Sequence, residues 1–250
     1  MKKFLVLMIA LTCMMGFATN SMANKYADIV FVVDQSGSMS GEYNWLANSI
    51  SSINTSITSA GITVNYGLAG FVYEAGTADP QNAWAALGSS ITDIINQANY
   101  AKNNLYGSQE RSYNAASWSS ENFGWTGSEY AKVMILITDE YPYAYSSYSY
   151  GGLTGEAAIA KKMEDENILL NVITLTSLYS YWDGVVYENG TFSGLWNLDY
   201  LRTDPTAFTA EFTAGKIKEI QEHQVPEPAI MLLLGFGLTG LATLRRKFKG

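Results

Sequence analysis

The stretch that decides the fold is IVFVVDQSGS, residues 29–38, an apolar run that ends on a carboxylate and continues into a serine-rich loop. Five consecutive apolar residues are typical of a strand buried on both faces, as in a parallel sheet. Asp34, Ser36 and Ser38 place small oxygen donors at alternating positions directly after this strand. The alternative interpretation is a strand-to-helix loop in which Asp34 and the serines only cap the next helix.

A second apolar run also ends on acidic residues. It reads VMILITDE, residues 133–140, so Thr138 and Asp139 directly follow the buried segment. In open α/β sheets the ligand site lies beyond the carboxyl ends of the strands. Parallel neighbouring strands would bring Asp34 and Asp139 to the same rim, which favours ligand binding over simple helix capping.

Strand and helix patterns alternate along the body of the chain. Helical periodicity is found in 41–60, 155–166 and 205–222. The segment 62–73 alternates apolar with small or polar residues and predicts a half-exposed strand, whereas 168–175 is an apolar run broken by two polar residues. This alternation predicts an α/β fold with a doubly wound, mostly parallel sheet flanked by helices, spanning residues 26–222.

These motifs together resemble a von Willebrand factor A domain with its metal-ion-dependent adhesion site. The D-x-S-x-S motif of that family matches Asp34, Ser36 and Ser38, and its later T-D motif matches Thr138 and Asp139. The resemblance implies a Rossmann-like domain that binds a divalent cation. It also implies that the two serines contact the metal directly, while the two aspartates act directly or through water.

The middle loop departs from the usual family pattern, in which a threonine completes the site. Here the region reads YGSQERSYNAASW, residues 106–118, and offers Glu110 or Ser108 as the further ligand. Carboxylate, hydroxyl and water oxygens suit Mg²⁺, with Mn²⁺ and Ca²⁺ as alternatives. We expect Gly37 to permit the tight turn that directs both serine hydroxyls toward one ion.

A tyrosine-rich loop follows the second acidic strand end. Its aromatic residues are Tyr141, Tyr143, Tyr145, Tyr148 and Tyr150. Tyrosine gives a large contact area with few rotatable bonds, so the loop is a candidate partner-binding surface. The alternative is that these rings fold onto the domain. A second aromatic segment, 179–196, predicts a hairpin packed beside the last strand.

Composition excludes several classes of function. Six of the 15 basic residues lie at the two chain ends, so the rest of the chain sets nine basic against all 23 acidic residues. Such a surface repels nucleic acid and attracts cations. The only cysteine is Cys13 and the only histidine is His223, which argues against a zinc site of the usual ligands and against a serine hydrolase triad.

The N-terminus has the three parts of a secretory signal peptide. Two lysines precede an apolar stretch, which ends in the small-residue site Ser21-Met22-Ala23. We expect residues 1–23 to be removed on export. A buried N-terminal helix and a lipoprotein signal at Cys13 are less consistent alternatives, because the flanking residues fit neither.

The C-terminus, residues 225–250, resembles a PEP-CTERM sorting signal. Pro226, Glu227 and Pro228 precede an uncharged stretch, 229–244, and then a basic cluster. The uncharged stretch makes a transmembrane helix of about 24 Å, with the basic cluster on the cytoplasmic side. The resemblance implies processing by an exosortase in a Gram-negative bacterium; the alternative is a plain single-pass anchor.

The sequence therefore predicts an exported, non-enzymatic adhesion module. It would reach the cell surface or the extracellular space after transient anchoring in the inner membrane. Its partner would be a protein or an exopolysaccharide held through the bound cation, and not nucleic acid. The alternatives are a passive matrix or biofilm protein with a structural metal and, less consistent with the motifs, a hydrolase.

Overall fold

The computed structural model describes residues 25–72, 81–107, 110–189 and 192–223. The predicted signal peptide, the sorting signal with its apolar helix, and Ser108 lie outside these residues. Within the described ranges, no helix combines the length and the hydropathy needed to cross a membrane.

One six-stranded sheet forms the centre of the domain, and two short hairpins lie beside it. The strands are β1 (Lys25–Asp34), β2 (Ile62–Phe71), β3 (Gln81–Ser89), β4 (Tyr130–Ile137), β5 (Ser149–Tyr150), β6 (Leu153–Thr154), β7 (Ile168–Thr174), β8 (Glu188–Asn189), β9 (Phe192–Ser193) and β10 (Leu195–Asn197). The central sheet has the order β10-β7-β4-β1-β2-β3. Its strands pair in parallel except β3, which is antiparallel to β2.

Helices cover both faces of this sheet. They are α1 (Ser40–Ser59), α2 (Ile91–Lys102), α3 (Ser112–Asn122), α4 (Gly155–Asp165), α5 (Leu198–Thr203) and α6 (Pro205–His223), with 3₁₀ segments at Gly37–Met39, Tyr145–Ser147 and Thr176–Tyr181. The predicted doubly wound, mostly parallel α/β fold is confirmed.

Strand β1 divides the core into two layers. Alternate residues such as Phe31 and Val33 pack with α1, α2 and α6, whereas Val30 and Val32 pack with α3 and α4. All four are fully buried. Burial of such side chains contributes about 1.5–3 kcal/mol each to folding, so this run holds both layers together and fixes where β1 ends.

Three local features differ from the predictions. Strand β2 is buried continuously from Tyr66 to Phe71, so it is less exposed than its alternating sequence indicates. Strand β3 and helix α2 have no counterpart among the predicted elements. In the aromatic segment 179–196, the hairpin consists only of β8 and β9, which are two residues long each, and β10, which begins at Leu195, adds a short parallel edge strand to β7.

Candidate metal centre

The first predicted loop lies at the carboxyl end of β1 and is folded around the Asp34 carboxylate. The backbone N–H of Ser36 donates to Asp34 Oδ1 at 2.6 Å. The hydroxyls of Ser36 and Ser38 are 3.0 Å apart. The carboxylate therefore holds the loop in a shape that brings the two serine hydroxyls together, as the motif predicts.

The second predicted strand end joins the first. Strands β1 and β4 are parallel neighbours, with Val33 opposite Ile137. Thr138 Oγ1 donates to Asp34 Oδ2 at 2.8 Å, and Ser38 Oγ donates to Asp139 Oδ1 at 2.9 Å. The structure thus brings together the five residues of the two motifs at one rim, with Thr138 as the link between the strands.

The buried position of Asp34 makes ionisation of its carboxyl group unfavourable. Its side chain is fully buried. Burial raises its pKa to about 7, although the hydrogen bonds from Ser36 and Thr138 oppose the shift and the nearby Asp139 charge adds to it. A buried carboxylate with raised pKa indicates that the protein groups around it do not supply enough positive charge.

Glu110 lies at the same rim and is more strongly perturbed. The residue is fully buried, and neither carboxylate oxygen has a hydrogen bond of normal geometry within the described residues. Burial raises its pKa to about 9; the next cause is the side-chain contact with the Glu140 carboxyl group, which favours a proton shared between the two acids, followed by the charges of Asp34, Glu140 and Asp139. Its backbone carbonyl accepts from the Tyr143 N–H at 2.8 Å, which ties the middle loop to the tyrosine loop.

The turn after β1 does not depend on glycine at position 37. Gly37 begins a 3₁₀ turn, and a Cβ added there would meet nothing within 4 Å. Its backbone does not adopt the left-handed conformation, so the expectation that Gly37 permits the turn is wrong. A glycine is required instead at Gly70 in β2, where a Cβ would lie 2.2 Å from Trp84 Nε1 and 2.6 Å from Gln35 Cδ.

Arg202, on α5, is the residue of this rim that sequence analysis missed. Its Nη2 donates to Asp139 Oδ2 at 2.8 Å, and its Nε donates to Glu42 Oε1 at 2.6 Å. Glu42 lies in the first turn of α1 and is 1% exposed. The guanidinium therefore fixes one oxygen of Asp139 and leaves the other facing Ser38. No local pattern around Arg202 predicts this contact, because its partners are 63 and 160 residues away.

The side chains at the rim offer the oxygen atoms that a hard cation prefers, but they are not arranged as a closed set of direct ligands. In the described part of the chain, no three His, Cys, Asp or Glu side chains are grouped as direct ligands. Both oxygens of Asp34 and both of Asp139 already accept protein hydrogen bonds. The hydroxyls of Ser36 and Ser38 and the buried Glu110 carboxyl group are the further oxygen ligands at the rim, which suits Mg²⁺ with the aspartates acting through water.

The tyrosine loop lies beside this rim, but its rings are not equally accessible. Tyr141 is 46% exposed, Tyr148 is 9% exposed, and the other three are half-buried. The Tyr141 and Tyr145 rings pack against Tyr181, with centroids 6.2 and 5.4 Å away. Tyr148 packs against Tyr113 inside the second core layer. The loop therefore offers exposed aromatic surface at Tyr141, as a partner-binding surface would, whereas Tyr148 is folded onto the domain.

Comparison with known families agrees with this architecture. The von Willebrand factor type A domain model matches residues 28–181, and the PEP-CTERM protein-sorting motif matches residues 224–247. The chain therefore belongs to the von Willebrand factor type A domain family and carries a PEP-CTERM sorting motif. No curated protein matches the chain.

Solved structures show the same fold at low sequence identity. The pilus adhesin SpaC from Lactobacillus rhamnosus GG is 17% identical with a TM-score of 0.54, over 78% of this chain and 30% of SpaC. Proximal thread matrix protein 1 from the mussel byssus is 16% identical with a TM-score of 0.52, over 77% of this chain and 49% of that protein. This chain spans less than half of either structure, and identity this low shows the fold alone.

Proposed function

We propose that this chain is an exported, non-enzymatic binding module that engages its partner through a divalent cation, Mg²⁺ in preference to Mn²⁺ or Ca²⁺. The cation would be held by Ser36, Ser38 and Glu110, with Asp34 and Asp139 as ligands through water. The PEP-CTERM motif supports processing by an exosortase, export through the inner membrane of a Gram-negative bacterium, and release to the cell surface or the extracellular space.

The observation that carries this proposal is the buried Glu110 carboxyl group, whose side-chain neighbour is another acid, Glu140, and not a cation. Ionising a carboxyl group in such a buried site is costly, so without a cation Glu110 keeps its proton. Asp34, Asp139 and Glu140 each raise the pKa of Glu110, so the protein gathers negative charge around a group that already lacks compensation. A divalent cation among these oxygens would remove that cost.

The residues of the rim have separate tasks in this proposal. Asp34 holds the Ser36 backbone and, through Thr138, keeps the ends of β1 and β4 together. Arg202 holds Asp139 from the side away from Ser38. When bound, the cation supplies positive charge and an open coordination position for an acidic group of the partner.

The partner surface would extend from the rim onto the exposed part of the tyrosine loop. Tyr141 and Tyr145, together with Tyr181 of the 3₁₀ segment Thr176–Tyr181, offer adjacent aromatic rings there. Such rings suit a protein surface or an exopolysaccharide, the two partner classes that carry acidic groups outside the cell. The resemblance to a pilus adhesin fold is consistent with this role.

A non-enzymatic role is supported by the surroundings of the serines. Their hydroxyls bond to each other and to Asp139, whereas the sole histidine, His223, ends α6 and packs against Tyr187 at 5.8 Å. The acceptor of the Ser38 hydroxyl is Asp139, which Arg202 also holds and which belongs to the proposed metal rim, so His223 is not paired with either serine as a general base. We therefore do not assign these serines to hydrolysis.

The test is capture of partners from envelope and extracellular fractions with the immobilised mature protein. We expect specific partners that are retained in Mg²⁺, released by a chelator, and absent with a Ser36→Ala, Ser38→Ala variant. Ser52→Ala, an exposed serine on α1, is the matched control. Metal binding without any metal-dependent partner would support the passive matrix role instead, and turnover of a captured substrate would support a hydrolase.

A further inference from the structure

A fully buried polar cluster links α6 to the central sheet and has no part in the metal rim. Lys216 and Glu219 lie on α6, and Asn171 lies on β7; their exposures are 0%, 1% and 0%. Asn171 is the polar residue that interrupts the otherwise apolar β7 run. Since β7 is buried along its whole length, this interruption needs a reason.

The three side chains contact one another pairwise. Lys216 Nζ contacts both Asn171 Oδ1 and Glu219 Oε2. Asn171 Nδ2 donates to Glu219 Oε1 at 2.9 Å. The carboxyl group therefore touches the amine nitrogen with one oxygen and the amide nitrogen with the other, while the amine lies against the carbonyl end of the same amide.

The surroundings of the cluster favour reaction of the amine with the amide. Lys216 Nζ lies 5.4 Å from the ring centroids of both Trp196 and Phe212. Burial lowers the pKa of Lys216 to about 8, against the opposing effect of Glu219. A desolvated lysine with lowered pKa has readier access to the neutral, nucleophilic amine.

A purely structural role explains this cluster poorly. Replacing a buried ion pair by apolar residues of similar volume is often neutral or stabilising. The cluster also includes a potential electrophile, the Asn171 amide carbon, with Trp196 Nε1 donating to its oxygen at 3.4 Å. A donor in that position stabilises the negative charge that develops on an attacked carbonyl oxygen.

We propose that Lys216 and Asn171 become joined by an intramolecular isopeptide bond, formed within the folded domain with Glu219 as the proton carrier. The bond covalently ties α6 to β7. It requires no oxidant and no cofactor, because the only product besides the new amide is ammonia.

The reaction balances as an amide exchange. Lys216 gives a proton to Glu219, and the lone pair of the neutral amine forms the bond to Asn171 Cγ while the carbonyl π pair moves to Oδ1. Glu219 then protonates Nδ2 and takes the second proton from Nζ. The Cγ–Nδ2 bond breaks, ammonia leaves with that electron pair, and the Oδ1 pair re-forms the carbonyl.

Such a bond would serve the domain outside the cell. The single cysteine, Cys13, lies in the predicted signal peptide, so the body of the chain has no cysteine pair for a disulfide. A bond between residues 45 positions apart would close a long loop and restrict the unfolded chain. It would also keep α6 on the sheet when the surface is pulled through a bound partner.

Mass spectrometry of the purified full chain tests the proposal directly. After denaturation and trypsin digestion, we expect peptide 163–202 joined to peptide 203–218, with no cleavage after Lys216 and a mass lower than the sum of the two peptides by one ammonia. Separate, unmodified peptides with normal cleavage after Lys216 would overturn the proposal.

Three variants locate the chemistry. Glu219→Gln preserves the shape of the carboxyl group and should leave most of the protein unjoined, and Lys216→Arg should abolish the joined peptide. Lys218→Arg alters an exposed neighbour, keeps the trypsin site at 218 and should join as wild type does. A joined peptide in Lys216→Arg, or unchanged joining in Glu219→Gln, would contradict the assignment.

Discussion

The metal rim and the α6–β7 cluster both bury acidic side chains, but they compensate them in opposite ways. Glu219 is touched by Lys216 and by Asn171, so its partners come from the protein itself. Glu110 lies against acids instead: burial, followed by the side-chain contact with Glu140 and the charges of Asp34 and Asp139, raises its pKa to about 9. The buried acid of the cluster is therefore compensated within the chain, whereas the buried acid of the rim is the one for which we propose a cation as the partner.

The largest expected effect comes from removing both rim aspartates. In Asp34→Ala, Asp139→Ala, we expect the Mg²⁺-dependent rise in melting temperature to disappear, because the loop and its water-mediated ligands are lost. A site that is saturated a hundredfold above its Kd stabilises the fold by about 2.7 kcal/mol. Scanning calorimetry with and without Mg²⁺ measures this difference.

A control variant distinguishes Mg²⁺ binding at the rim from nonspecific attraction of Mg²⁺ to the acidic surface. Asp183→Ala removes an exposed acid away from the two motifs and should retain the full Mg²⁺ response. If the double variant responds to Mg²⁺ as wild type does, the rim is not the cation site and the contrast with the α6–β7 cluster fails.

Glu110→Gln tests the buried acid of the rim directly. It should make the metal-free protein less sensitive to rising pH, and it should weaken Mg²⁺ binding. In metal-free protein the folded state keeps a proton on Glu110 up to a pKa of about 9, whereas the ordinary value is 4.5. Wild-type stability therefore falls as pH rises toward 9, because the unfolded state releases that proton earlier. We expect Glu110→Gln to fall less steeply between pH 7 and 9, and also to bind Mg²⁺ more weakly.

Urea unfolding in the presence of a chelator, at several pH values, measures this slope. The two proteins share every other titrating group, so the difference between their slopes isolates Glu110. Parallel pH profiles for the two proteins would show that folding does not raise the pKa of Glu110. The rim and the α6–β7 cluster would then not differ in how their buried acids are compensated.

Arg202→Ala should have a smaller effect: it should weaken Mg²⁺ binding without abolishing it. Outer-shell partners that orient metal ligands typically change affinity by about 10–100-fold, and we expect the lower figure because Arg202 holds Asp139, a ligand through water. Arg202→Lys should recover only part of the loss, since a lysine cannot reach Glu42 and Asp139 with a planar fork. Isothermal titration with Mg²⁺ gives these affinities; equal values for all three proteins would exclude a positioning role.

The smallest expected effect concerns the exposed tyrosines. Tyr141→Ser with Tyr145→Ser should weaken binding of the metal-dependent partner several-fold while Mg²⁺ affinity stays unchanged, because most interface side chains cost less than about 1 kcal/mol each when they are truncated. Tyr148 is unsuitable for this test, since it is buried beside Tyr113. Surface plasmon resonance against the captured partner, with Tyr100→Ser as the exposed control, distinguishes recognition from packing.

Sequence alone predicted the sheet centre and the motif residues because both depend on local signals. The apolar runs of β1, β4 and β7 are each continuous enough to identify buried strands, and each motif aspartate directly follows such a run. Strand β3 escaped prediction because its alanine-rich sequence, QNAWAALGS, has neither the β-branched residues nor the strict alternation of a typical strand.

The parts that escaped prediction depend on contacts between distant residues. Arg202 reaches Asp139 and Glu42 only because α5 packs near the start of α1. Tyr141 and Tyr148 occur in one repetitive segment, and the opposite environments of their rings are set by Tyr181 and Tyr113 on other elements. The position of Gly37 in the motif predicts a role in the turn, but the required glycine is Gly70, whose neighbours Gln35 and Trp84 come from two other segments.

The most direct test of the central claim is a crystal structure of the protein with Mn²⁺, located by its anomalous scattering. We predict one strong peak at the rim, in bonding contact with the Ser36 and Ser38 hydroxyls and the Glu110 carboxylate, with Asp34 and Asp139 reached through water. An ordered rim without a peak, or peaks only on exposed acids elsewhere, would contradict the account.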